Sequence, residues 1–99
     1  MARSKKPSQI LIIGRRWFAR TYGNTYFTAE ISVNGKFLQK IGPEYGYGDH
    51  YIDQAFAWLA DNGHISGYDS QRSRPWRWAQ DHKVNLIYSV SDVRREKDL

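Results

Sequence analysis

Phe27–Ile41 reads FTAEISVNGKFLQKI, two arms hinged about Asn34-Gly35. In the first arm Phe27, Ala29, Ile31 and Val33 alternate with Thr28, Glu30 and Ser32. That period of two marks a strand with one face toward a core. Asn-Gly accepts the positive φ angles of a tight hairpin turn, so the pair is a strong hairpin signal. Lys36–Ile41 returns as the second arm, with Phe37, Gln39 and Ile41 opposed to Leu38 and Lys40. Gly42-Pro43 is expected to end it, because proline cannot donate to a ladder.

Toward the N-terminus, strand propensity begins at Gln9. Ile10–Ile13 is a continuous apolar run, and Trp17 and Phe18 follow after Gly14-Arg15-Arg16. Gly14 is a candidate bulge. Gly23-Asn24, within TYGNTY (Thr21–Tyr26), suits a second tight turn. The three segments form an antiparallel meander.

Toward the C-terminus, Asp49–Asn62 has helical spacing. Ile52, Ala55, Phe56 and Leu59 fall on one stripe, which Tyr51 and Trp58 widen. Asp49 is placed to cap the start, and Gly63 to end the helix in the left-handed region. Neither this helix nor the meander can bury its apolar face alone, so the two are expected to pack together. Ile65–Arg74 is polar and loop-like. Pro75 suits the first turn of a short helix, Pro75–His82, and Val84–Val90 reads as a fourth strand. The fold class is therefore α+β: an antiparallel three-stranded meander plus a fourth strand, packed against one main helix with a second short helix. Residues 1–8 read as a flexible basic arm and 9–90 as a single domain. Residues 91–99 read as a charged tail or a short ordered extension.

With 99 residues the chain has room for one small domain. Aromatic residues make up 15%, and large rings help a short chain build a core. Cysteine is absent, which rules out disulfides, thiolate metal sites and a thiol nucleophile. The run Ile10–Ile13 is too short for a signal segment or a membrane span. These features lead to the expectation of a cytoplasmic protein with no membrane partner.

The net charge of +5 is unevenly spread. Residues 1–40 carry +7, residues 41–71 carry −5 (Glu44, Asp49, Asp53, Asp61, Asp69), and residues 72–99 carry +3. Such blocks either form an ordinary solvated surface or select a partner by complementary charge.

Catalytic chemistry finds little support. His50 and Asp53 have a spacing that offers two metal ligands, but no third or fourth stands nearby in sequence. No cofactor, metal or catalytic group is expected, and the chain is read as non-enzymatic. Binding chemistry is better represented. Arg15, Arg16, Trp17, Arg20, Tyr22 and Tyr26 interleave cations and rings, as do Arg72, Arg74, Trp76, Arg77 and Trp78 in RSRPWRW. Lys and Arg neutralise phosphates, and unpaired bases stack on rings. The same residue types also anchor protein interfaces. A single tryptophan is more often core than surface. Trp76 and Trp78 are too close to share a helix face, so one is expected inside and one outside.

EYGYGDHY (Glu44–Tyr51) has the glycines of a phosphate cradle. No Lys or Arg occurs from Gly42 to Gln71, and a capping Asp49 would occupy the N–H groups a phosphate needs. The stretch reads instead as a loop leading into the helix, with Tyr47 a candidate partner contact and Tyr45 another if it faces outward.

RRWFARTYGNTY (Arg15–Tyr26), VNGK (Val33–Lys36), YGYGDHY (Tyr45–Tyr51) and SVSDVRREKDL (Ser89–Leu99) together resemble a pattern in small, uncharacterised proteins of phages and other bacterial mobile elements. The resemblance spans most of the chain and carries no site residue with it. It implies expression inside a bacterial host. It also implies a non-enzymatic binder of a host defence protein or nucleoprotein, similar in kind to anti-CRISPR proteins. The alternatives are a sequence-tolerant nucleic-acid-binding domain and a sponge for a nucleotide signal. The contacts expected to serve any of these are Arg15, Arg16, Trp17, Arg20, Tyr22, Tyr47, Arg72, Arg74, Trp76 and Arg77.

Overall fold

The computed structural model describes residues 8–46, 48, 50–69 and 72–99. The basic arm expected at Met1–Pro7, the contact expected at Tyr47 and the cap expected at Asp49 lie outside them. The elements are β1 (Gln9–Ala19), β2 (Asn24–Val33), β3 (Lys36–Tyr45), α1 (His50–Asp61), α2 (Pro75–Asp81) and β4 (Asn85–Val93). A short 3-10 turn, Glu96–Asp98, follows β4. The sheet order is β3-β2-β1-β4. The meander is antiparallel, and β4 lies beside β1 in parallel. This is the α+β class expected from sequence.

The β2–β3 turn forms as its residues dictate. Asn34 and Gly35 take φ of 53° and 82°. Asn34 also ties the turn to the start of β1, since its Oδ1 accepts from the Ser8 and Gln9 N–H groups at 2.9 and 3.0 Å. The first hairpin turns more widely than Gly23-Asn24 alone. Its loop is Arg20–Gly23, and Asn24 already stands opposite Ala19 in the ladder. Gly23 supplies the positive φ, 69°, and donates to the Ala19 carbonyl at 2.8 Å.

Three details of the strands differ from the sequence reading. Gly14 is not a bulge, because it pairs in register with Ala29 and Val90. Its missing side chain makes room for a ring: a Cβ there would lie 2.7 Å from the ring of Tyr51, which is buried. Gly42-Pro43 does not end β3, which continues to Tyr45. As β3 is an edge strand, a proline there need not remove a ladder bond. Finally, β3 holds an extra residue opposite Phe27–Ala29 and another opposite Ile31–Ser32. These bulges break strict alternation. Leu38 and Ile41 pack on the core, while Phe37 is exposed.

The helices follow their patterns closely. Tyr51, Ile52, Ala55, Phe56 and Leu59 are all buried. Past the end of α1, His64 N–H donates to the Leu59 carbonyl and Gly63 N–H to that of Ala60, at 2.9 and 3.2 Å. With Gly63 at φ 75°, this is a Schellman ending. Pro75 opens α2 after Arg74. Trp78 is buried against Phe56 with ring centroids 5.9 Å apart, and its Nε1–H donates to the Ser66 carbonyl at 2.8 Å. Trp76 is exposed, so the pair divides between core and surface as its spacing requires. β4 runs three residues past Val90, so Ser91–Val93 of the expected tail belong to the sheet.

Both helices pack on the same side of the sheet. The core joins Ile10, Ile12, Phe27, Ala29 and Ile31 to the α1 stripe, Ile65, Trp78 and Val84. Gly14→Ala should therefore overpack the sheet–helix seam. We expect a loss of roughly 1–3 kcal/mol, read as a lower urea midpoint with an unchanged slope.

Candidate functional site

Strand alternation puts Leu11, Ile13, Arg15 and Trp17 on the side of β1 away from the helices, opposite Ile10, Ile12 and Gly14. Their ladder partners share that side: Ser32, Glu30, Thr28 and Tyr26 on β2, and Ile87, Ser89, Ser91 and Val93 on β4. Beyond β2 lie Phe37, Lys40 and Tyr45 of β3. Among the described residues neither α-helix covers this face.

At the hairpin end of the face, three rings stand in a row across three strands. Trp17 and Tyr26 are near-parallel, with centroids 6.0 Å apart and planes at 27°. Tyr26 and Tyr45 meet edge-on, also at 6.0 Å. Tyr45 is 58% exposed. It thus faces outward on the sheet side, away from the acidic helix.

The chain after β4 crosses this same face. β4 stops at Val93, level with Trp17. Lys40 is level with Glu30 and Ile13, on the far side of β1 and β2. Its Nζ donates to the Leu99 carbonyl at 3.0 Å. Arg94–Leu99 therefore run diagonally back over the sheet as a strap, above the level of Arg15 and Thr28. Thr28 is only 2% exposed although no helix lies over it. The strap separates the aromatic row from an apolar patch of Leu11, Ile13, Phe37 and Ile87.

A notch opens where β4 ends, because Phe18 and Ala19 have no β4 partner. Trp17, Phe18, Arg20, Thr21, Val93 and Arg94 line a cleft there of about 670 Å³. The arginines of the protein divide into two kinds. Arg15 holds Glu30 at 2.7 Å, Arg16 holds Asp92 at 3.1 Å, Arg77 lies 3.6 Å from Asp81, and Arg95 lies 3.5 Å from Asp98. Among the described residues, Arg20, Arg72, Arg74 and Arg94 form no ion pair, and of these Arg20 and Arg94 face the notch.

The sequence-predicted contacts do not form one surface. Arg15 and Trp17 share the open face, with Arg20 and the 77%-exposed Tyr22 on the adjoining loop. Arg16 points to the helix side, where it also donates to the Gly48 carbonyl at 3.4 Å. Arg72 and Arg74 border a cleft with His50 and Asp53. Trp76 meets Tyr88 edge-on at 6.0 Å. The RSRPWRW group thus stands on the helix side, apart from the aromatic row. Tyr45, a candidate only if it faced outward, does so, although its place in a row across the sheet was not foreseen because it lies beyond a proline that reads as a strand end. Arg94 and Lys40 were missed, and Arg94 lies in a segment that reads as tail.

The glycine loop is built for packing. A Cβ on Gly46 would lie 2.5 Å from the His50 ring and 2.9 Å from that of Phe27, and the Gly46 N–H donates to the Thr25 carbonyl at 2.9 Å. Among the described residues no group of three or more His, Asp or Glu stands together. Nor, among the described residues, is any helix long and apolar enough to cross a membrane. No family model, curated protein or solved structure matches the chain.

On the helix side, Tyr68 packs on Phe56 with centroids 5.3 Å apart. Burial pushes its phenol up to about 12, with Asp53 and Asp69 adding to the rise and Arg74 opposing it. The neutral phenol is favoured by folding, so its contribution is complete below the ordinary tyrosine value of 10.0. That contribution is lost as pH climbs through 12. Urea unfolding across that window should show stability falling with pH, and Tyr68→Phe should flatten the fall.

Proposed function

We propose that the open sheet face binds single-stranded nucleic acid without strong sequence preference. The observation that carries this reading is the row Trp17–Tyr26–Tyr45 on the side of the sheet away from both α-helices. Every base has a π face, so stacking on rings tolerates any sequence. A sheet presenting rings on adjacent strands offers successive bases successive platforms. The row ends at two arginines with no ion-pair partner among the described residues, which suit backbone phosphates.

Charge placement supports the same reading. Asp53 and Asp61 lie on α1, and Glu44 alternates with the outward-facing Tyr45. On the open face Glu30 is held by Arg15, and Asp98 of the strap lies beside Arg95. The acidic block therefore does not confront a strand lying along the row.

A second reading is favoured by one further feature. Between β3 and α1 runs a groove of about 550 Å³ bordered by Lys40, Glu44, Gln54, Trp58 and Asp61. A groove with two carboxylates against one lysine on one side, and a basic, aromatic face on the other, suit a partner containing both protein and nucleic acid. In a bacterial cytoplasm this would be a host defence nucleoprotein, and the protein would act as a non-enzymatic counter-defence binder of the kind the phage resemblance implies. A host protein that stays bound after nuclease digestion, and is lost on reversing the charge of Glu44 and Asp61, supports this reading.

For the leading reading, fluorescence anisotropy with labelled ~10-nucleotide single strands at low salt is the direct assay. Trp17→Ala and Tyr45→Ala should each weaken binding by about 5- to 150-fold, the range of one lost base–ring stack. Trp76→Ala should leave it unchanged, and added salt should weaken it steadily. Absence of binding to both DNA and RNA single strands at low salt would remove the proposal.

A further inference from the structure

We propose that the notch at the end of β4 is a subsite for the terminal phosphate of the bound strand. The inference rests on the nucleic-acid reading and goes beyond it, because it specifies where the strand stops and what chemical end it prefers.

The row leads to the notch. Passing from Tyr45 through Tyr26 to Trp17, each strand supplies a ring. The next strand supplies none: at the level of Trp17 β4 has Val93, its last residue. The chain then turns at Arg94 and comes back over the sheet toward Lys40. A strand that follows the rings meets the start of this strap and has no further platform. What it meets instead is the cleft bordered by Trp17, Arg20 and Arg94.

The charge of the cleft suits a phosphomonoester. None of its lining residues is acidic. Arg20 and Arg94 are exposed cations left without an ion-pair partner among the described residues; Arg72 and Arg74 share that state but border a different cleft, with His50 and Asp53. An internal phosphodiester carries one negative charge. A terminal monoester carries about −1.5 to −2 at pH 7, with its second ionisation near pH 6. Two guanidinium groups therefore favour the end of a strand over its middle, and they favour it more once the second proton has left.

The test is an anisotropy titration of the full chain with single strands that differ only at one end. One pair carries a dye at the 3′ end and either phosphate or hydroxyl at the 5′ end. The other pair is labelled at the 5′ end and varied at the 3′ end. One of the phosphorylated forms should bind about ten-fold tighter than its hydroxyl twin, the worth of one charge-assisted contact. This advantage should shrink below about pH 6. Arg20→Gln and Arg94→Gln should each weaken the phosphorylated strand more than its hydroxyl twin, bringing the advantage toward unity. Both positions are exposed, so folding is not at risk. Equal affinities for phosphate and hydroxyl at both ends, with strands still bound, would overturn the subsite and leave the nucleic-acid surface standing. Failure of every strand to bind would overturn both.

Discussion

The seating of α1 on the two central strands governs the rest of the molecule. Ile52, Ala55, Phe56 and Leu59 come down on Ile10, Ile12, Ala29 and Ile31, all fully buried. Tyr51 reaches farthest along β1 because Gly14 offers no side chain in its way. A small domain has little apolar surface to spare. Once α1 and α2 are committed to one side, no further α-helix among the described residues is left for the other side of the four-stranded sheet. The open face follows from that shortage. Among the described residues, Arg94–Leu99 cross it, and the aromatic row lies to one side of that crossing.

Alternation along β1 then converts a short run of sequence into two chemistries. Arg15 and Trp17 join the open face, while Arg16 turns to the helix side and bonds Asp92 and the Gly48 carbonyl. Four arginines stand beside carboxylates at or near the surface. What remains at the notch is a small set of free cations next to a ring. The separation of the acidic α1 side from the aromatic face has the same origin, since both depend on which side of the sheet an element faces.

Much of the fold was legible in the sequence because it rests on local rules. Asn34-Gly35 needs two positive φ angles, and it has them. The α1 stripe and the Gly63 ending follow from spacing and from the absence of a Cβ. The division of Trp76 from Trp78 follows from helix geometry. What escaped depends on distant contacts. The parallel pairing of β4 with β1 is a choice of edge that no short window records. The two β3 bulges shift Leu38 and Ile41 inward, and only the partner strand reveals them. Tyr45 joined the aromatic row only because β3 continues through Pro43, and Arg94 joined the notch only because the chain folds back toward Lys40. For the candidate site, residue types were readable and their grouping was not. RSRPWRW and the first hairpin look alike as sequence yet stand on opposite sides of the sheet.

The four tryptophans distinguish the two sides, since Trp17 alone lies on the open face while Trp58, Trp76 and Trp78 belong to the helix side. The most direct measurement is therefore a titration of isotopically labelled protein with an unlabelled single strand, following the four indole N–H resonances. A progressive shift of the Trp17 signal, with the other three unmoved, is the predicted result. A shift confined to Trp76, or no shift in any of them at saturating strand, would contradict the assignment of the open face as the binding surface.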